Sequence, residues 1–124
     1  MSKTIILIGA SGLLGSELLH ECDAHDFKIH IPTHRELDIT DFKAVSRYME
    51  KAQPEYVINA TGVIAVDEIE EDPYPAWQIN ALGAGALARA LSLNHMHSTR
   101  LVHMSTNYVF GDLLDGYAED DPVA

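Results

Sequence analysis

A chain of 124 residues, 47% of them hydrophobic, is long enough to bury one core and too short to bury two. A formal net charge of -11 with only eight lysines and arginines repels a phosphate backbone, which excludes a basic nucleic-acid-binding face. One cysteine, Cys22, excludes an internal disulfide, no N-terminal stretch has the make-up of a secretory leader, and no apolar run approaches the roughly 20 residues of a membrane helix, so a soluble, cytoplasmic protein that binds neither nucleic acid nor membrane is expected.

Thr4-Ile5-Ile6-Leu7-Ile8 is a β-branched apolar run ending at Gly9, the pattern of a strand buried on both faces of a parallel sheet. Leu14, Leu18 and Cys22 follow at helical spacing, so this strand passes through a glycine turn directly into a helix. Phe27 to Ile31 reads as a second strand stopped by Pro32, and Thr40 or Asp41 can cap a helix that buries Phe42, Val45 and Met49. Tyr56 to Ala60 reads as a further strand. Asp72-Pro73 supplies a cap and a first-turn proline for a helix carrying Ile79, Leu82, Ala86, Leu87 and Ala90, with Trp77 and Ile79 expected in the core or at a subunit contact. Leu101 to Met104 is the next strand, and the acidic, glycine-containing stretch 111–124 reads as a loop.

Strands alternating with helices specify an α/β fold with a Rossmann-type, doubly wound parallel sheet. We expect residues 1–124 to form one NAD(P)-binding domain whose sheet is truncated after about five strands.

Chemistry concentrates in Gly9-Ala10-Ser11-Gly12-Leu13-Leu14-Gly15, placed where the first strand hands over to the first helix. Gly9 permits a tight turn, Gly12 lets backbone approach a pyrophosphate, and Gly15 lets the helix pack closely on the sheet. Ser11, Leu13 and Leu14 complete the set, because the free N–H groups and positive dipole end of the helix face the phosphates.

The GxxGxxG spacing resembles the extended branch of the short-chain dehydrogenase/reductase superfamily, the NAD-dependent epimerase/dehydratase group that acts on nucleotide sugars. Three further elements carry the resemblance in chain order: Leu37-Asp38-Ile39-Thr40-Asp41, Asn59-Ala60-Thr61-Gly62 and Ser105-Thr106-Asn107-Tyr108-Val109-Phe110-Gly111. Within that branch they are most similar to the dTDP-4-dehydrorhamnose reductase family, which usually has Asp where this chain has Asn107.

In such folds an acid about 20 residues past the glycine motif holds the ribose of NAD, while a nearby Arg accommodates the extra phosphate of NADP. Here the second strand ends in Pro32-Thr33-His34-Arg35, with no acid before Glu36, so NADP(H) is favoured and NAD(H) remains usable. Thr33, His34 and Arg35 are the expected phosphate contacts, although a solvated role for Arg35 stays open. The resemblance implies that Asp38 and Ile39 line the adenine pocket; Asp38 is equally placed to cap the following helix. Ala60, Thr61, Gly62 and Met104 are expected against the cofactor at the carboxyl ends of their strands.

The resemblance also implies hydride transfer to a nucleotide-activated 4-keto sugar, as in dTDP-rhamnose biosynthesis. Thr106 would be catalytic, steadying the carbonyl oxygen, and Thr106 with Asn107 would touch the substrate. The proton-donating Tyr and its Lys belong to a YxxxK helix that the family places some two dozen residues later. Tyr108 is followed four residues on by Asp112 and Tyr117 by Asp121, so neither is that motif. The chain is therefore expected to be the N-terminal part of an oxidoreductase, without the catalytic helix and substrate domain and inactive alone. An epimerase or dehydratase of the same branch and a non-catalytic, cofactor-binding regulatory subunit are the alternatives. Self-association into a homo-oligomer is compatible with all three. His95 and His97 are too few for a metal centre, so no metal is expected.

Overall fold

The computed structural model describes residues 2–111 and 116–123. Four strands, β1 (Thr4–Ile8), β2 (Lys28–His30), β3 (Tyr56–Asn59) and β4 (Arg100–His103), form one sheet in the order β2-β1-β3-β4. All three pairings are parallel. β1 continues through the glycine turn into α1 (Leu13–Ala24), and α2 (Phe42–Ala52) crosses from β2 to β3. Between β3 and β4 lie α3 (Val66–Glu71), α4 (Tyr74–Ala76), a π-helical segment (Trp77–Gly83) and α5 (Ala84–Leu93), the last three without a break.

The expected α/β sheet is present, with four strands among the described residues rather than about five. The four strands read individually from the sequence, at 4–8, 27–31, 56–60 and 101–104, are each found, and residues 60–99 go wholly into loop and helix. β2 is also shorter than expected, with Phe27 and Ile31 left outside the ladder.

Register explains how the layers pack. Ile6, Val57 and Leu101 are aligned across three strands and point to one face, where Val45 and Met49 of α2 meet Leu87, Ala90 and Leu91 of α5. Leu37, Ile39 and Met96 close the edges of that core. Asp41 begins α2 by accepting from Lys43 N and Ala44 N, which settles the choice between Thr40 and Asp41 as cap. Asn94, at the end of α5, donates to Ser46 O at 2.9 Å and so ties the two helices together.

Leu82, expected on the core-facing stripe, is 47% exposed, and Trp77, expected in the core or at a subunit contact, is 54% exposed and so outside the core; the π-helical segment widens the turn and rotates these positions off the core-facing stripe. Residues 116–123 contain no helix or strand, and Tyr117 stacks on Phe110. Positions 112–115 and 124 of the expected loop lie outside the described residues. No helix among those described is long and apolar enough to cross a membrane.

Candidate dinucleotide site

β1 and β3 are adjacent, and from them the chain proceeds to opposite edges of the sheet. A crevice opens at the carboxyl ends of strands that diverge in this way. It is a cavity of about 520 Å³, walled by the glycine turn, the segment after β2 and the loop after β3.

Gly9 has φ +86°, and an added Cβ would lie 2.8 Å from both the carbonyl carbon and oxygen of Ala60. The turn therefore sits directly against the β3 loop. A Cβ at Gly15 would collide with the Gly9 carbonyl, whereas one at Gly12 would meet only Gly9 O at 3.4 Å. Gly9 and Gly15 are thus required by packing inside the protein, and Gly12 keeps a space that the protein does not itself fill. Gly12 is also the N-cap of α1 and brings no side-chain acceptor to the first turn, so its N–H groups are left for a ligand.

Ten of the expected cofactor residues line this cavity: Gly9, Ser11, Gly12, Thr33, His34, Asp38, Ile39, Ala60, Thr61 and Gly62. Five others do not. Leu13 and Leu14 are 90% and 47% exposed and lie outside the lining. Gly15 is buried beneath the turn, Arg35 is exposed beside the cavity, and Met104 is half-buried past the end of β4. The cavity adds Ala10, Ile31, Pro32, Leu37 and Ile79 to the wall.

Asp38 does not cap α2. Its Oδ1 accepts from Thr40 N at 2.9 Å and from Thr40 Oγ1 at 2.7 Å, and its Oδ2 lies 3.9 Å from His34 Nε2. The Thr40 bonds, the side-chain one foremost, hold the Asp38 carboxyl below the usual carboxylate range. It is therefore a fixed anion on the cavity wall.

Two asparagines support the site from behind. Asn59 is 1% exposed; its Oδ1 accepts from Thr61 N at 3.1 Å and from Thr61 Oγ1. Because that oxygen faces a backbone N–H, Nδ2 must be the donor to His103 Nδ1, 3.2 Å away. Asn80, within the π-helical segment, accepts from Val63 N at 2.8 Å and donates to Val63 O at 2.9 Å. The β3 loop is thus held at both ends, and the wall it forms is built in advance of any ligand. Gly83 belongs to the same construction, since a Cβ there would press on Ile39 Cδ1 at 2.7 Å.

Thr106 and Asn107 are exposed beyond the carboxyl end of β4, outside the cavity lining. Thr106 Oγ1 accepts from Tyr108 N at 3.2 Å, opening the 3-10 turn Asn107–Val109. That bond uses an oxygen lone pair and leaves the hydroxyl proton available to an acceptor outside the protein. Among the described residues no group of three or more His, Cys, Asp or Glu could hold a metal ion; His95 and His97 meet only as rings, 6.0 Å between centroids.

A parallel sheet that diverges at a glycine turn, with an empty-faced helix N-terminus at its mouth, defines a Rossmann-type α/β protein. Residues 3–124 match the model of the RmlD substrate binding domain, and the chain belongs to that family. It is 37% identical over 96% of its length to a probable dTDP-4,6-dihydroxy-2-methyloxan-3-one 4-ketoreductase of Streptomyces antibioticus, covering 40% of that protein. It is 36% identical over 90% of its length to a dTDP-4-dehydrorhamnose reductase of Mycolicibacterium smegmatis, covering 32% of it. The crystal structure of a dTDP-4-dehydrorhamnose reductase from Bacillus anthracis in complex with NADP is similar over the whole chain and 44% of the other, with TM-score 0.89 and 34% identity. The chain thus spans less than half the length of these relatives.

Proposed function

We propose that this chain is the NADP(H)-binding part of a reductase that acts on a nucleotide-activated 4-keto sugar, with NAD(H) as a second usable cofactor. The observation that carries the reading is the cavity itself: the glycine turn forms one end and Thr33, His34 and Asp38 the other, the distribution needed for a pyrophosphate and an adenosine ribose. The residues present fit such a group, because the space over Gly12 is one that a side chain would fill.

When bound, a reduced nicotinamide supplies a hydride to the keto carbon. The chain's own residues position and polarise. The α1 N-terminus faces the phosphates, Ala60 to Gly62 form a wall without bulky side chains, and Asn59 with Asn80 holds that wall rigid. Thr106, its Oγ1 capped by Tyr108 N, is free to donate its proton in a hydrogen bond to the substrate oxygen as negative charge develops there. Asn107 stands next to it as a substrate contact. The proton that completes the alcohol is not assigned to Tyr108 or Tyr117, since neither has a Lys four positions on to lower the phenol's pKa.

The test is to incubate the chain with NADPH and a dTDP-4-keto sugar, beside a protein that continues past residue 124 into a YxxxK segment and a sugar-binding region, following absorbance of the reduced nicotinamide. NADPH binding by both and oxidation only by the longer one is expected. General acid-base catalysis alone is worth about 10² to 10⁴ in rate, so equal turnover by the two would overturn the assignment of the proton donor.

A further inference from the structure

Asn59 and His103 are the last aligned pair of β3 and β4, at the carboxyl ends of the strands where the cavity opens. Among the described residues Asn59 is the one polar side chain buried with the core, 1% exposed, and both ends of its amide have partners. Oδ1 accepts from Thr61 N at 3.1 Å and from Thr61 Oγ1 at 2.6 Å. Nδ2 meets His103 Nδ1 at 3.2 Å. An amide nitrogen can only donate, so His103 Nδ1 is bare in this bond and the ring carries its proton on Nε2.

Thr61 lines the cavity, yet its N–H and its O–H are both spent on Asn59. Any hydrogen bond that its side chain makes to a ligand is therefore one that Oγ1 accepts. The group that matches is a hydroxyl, such as those of a ribose, and not a phosphate oxygen. Thr61 also backs onto the glycine turn, since a Cβ added to Gly9 would lie 2.9 Å from Thr61 N. A change in the seat of Thr61 is thus felt on the β3 loop and at the turn together. Without an acceptor at position 103, the buried Asn59 nitrogen loses this partner, and an amide with a lost partner no longer has one preferred setting.

We propose that His103 is a positioning residue of the dinucleotide site: its bare Nδ1 fixes the Asn59 amide, and Asn59 in turn presents Thr61 to the cavity as an acceptor for a ribose hydroxyl. The proposal rests on the cofactor reading of the cavity. It adds to that reading a residue outside the lining and the polarity of the group that the β3 loop receives. NADP and NAD share every ribose hydroxyl except the adenosine 2′ one, which is read at the end of β2, so His103 affects the two nucleotides equally.

Nitrogen NMR of the imidazole rings in mildly alkaline solution should find the His103 proton on Nε2; a proton on Nδ1 would overturn the proposal. Calorimetric titration of NADP+ and NAD+ then compares the unaltered chain with three variants. His103→Leu removes the acceptor and should weaken both nucleotides about fivefold, the scale of one neutral hydrogen bond. His103→Asn, whose Oδ1 can stand where Nδ1 stood, should recover affinity to within about twofold of the unaltered chain. Thr61→Val keeps the branched shape without the hydroxyl and should lose about as much as His103→Leu. Unchanged affinity in a folded His103→Leu or Thr61→Val protein, or a loss that His103→Asn does not recover, would overturn the proposal and leave the cofactor site standing. The ring tautomer and Thr61→Val decide the matter even where His103→Leu does not fold. An unaltered chain that binds neither nucleotide would overturn the cofactor reading and this proposal with it.

Discussion

Arg35 and Thr33 lie two residues apart at the end of β2 yet meet different constraints. Thr33 is bonded into its own turn, whereas Arg35 is exposed next to His34 of the cavity wall. A bidentate cation above a 2′-phosphate has its effect on NADP only. Arg35→Ala should therefore weaken NADP+ by about 1.5 kcal/mol, the lower end for a hydrogen bond to a charged group, and hardly change NAD+. Titration of both nucleotides measures this, and an equal loss for the two would mean that Arg35 does not read the phosphate. At this scale the sequence exposes residues whose type is unusual in its place: glycines after a strand, a basic turn, Ala-Thr-Gly past an apolar run. It does not expose Asn80 or Gly83, because an asparagine and a glycine in a helical stretch carry no sign of the backbone they hold or admit. Asn59 did leave a signal, as the polar end of an otherwise apolar strand.

The elements owe their boundaries to local bonds that can be removed one at a time. α2 begins at Asp41, whose carboxylate accepts from two first-turn N–H groups. Asp41→Ala should cost about 1 kcal/mol of stability, read as a lower urea midpoint with an unchanged slope. The turns before α2 depend on pH in a defined direction. Glu36 and Asp38 both have folded-state carboxyls below their ordinary values, so their contribution is fully present above the ordinary carboxylate range and is lost as pH falls through the lowered values. Amide resonances of Thr33 and Thr40 should accordingly keep their positions down to the ordinary carboxylate range and shift only in more acid solution. Shifts centred at the ordinary carboxylate values would contradict these bonds. Strands and helices were legible wherever hydrophobic period was strong, as in Ile5 to Ile8 and in Val45 and Met49. The π-helical segment was not legible, since its extra residue per turn leaves the apolar pattern superficially helical while moving Trp77 and Leu82 into solvent.

Across the whole molecule, the sheet order brings together segments far apart in sequence: the glycine turn at 9–15, the acidic and basic turn at 33–38 and the small-residue loop at 60–62. Each alone is an ordinary turn. Only a parallel sheet that sends its chain outward on both sides of β1 and β3 places all three around one cavity, and that topology follows from alternating strands and helices with right-handed crossovers. The central claim is that this cavity holds a dinucleotide with its pyrophosphate over Gly12. The packing around the three glycines separates that claim from mere structural need, because Gly15→Ala presses on the Gly9 carbonyl and should destabilise the fold, by about 1 to 3 kcal/mol for overpacking, whereas Gly12 has room for a Cβ within the protein. The most direct measurement is calorimetric titration of NADP+ into the chain and into Gly12→Val, with the fold of each checked by circular dichroism. Binding by the unaltered chain and its loss in a folded Gly12→Val protein is the expected result; equal affinity in the two would contradict the placement of the cofactor.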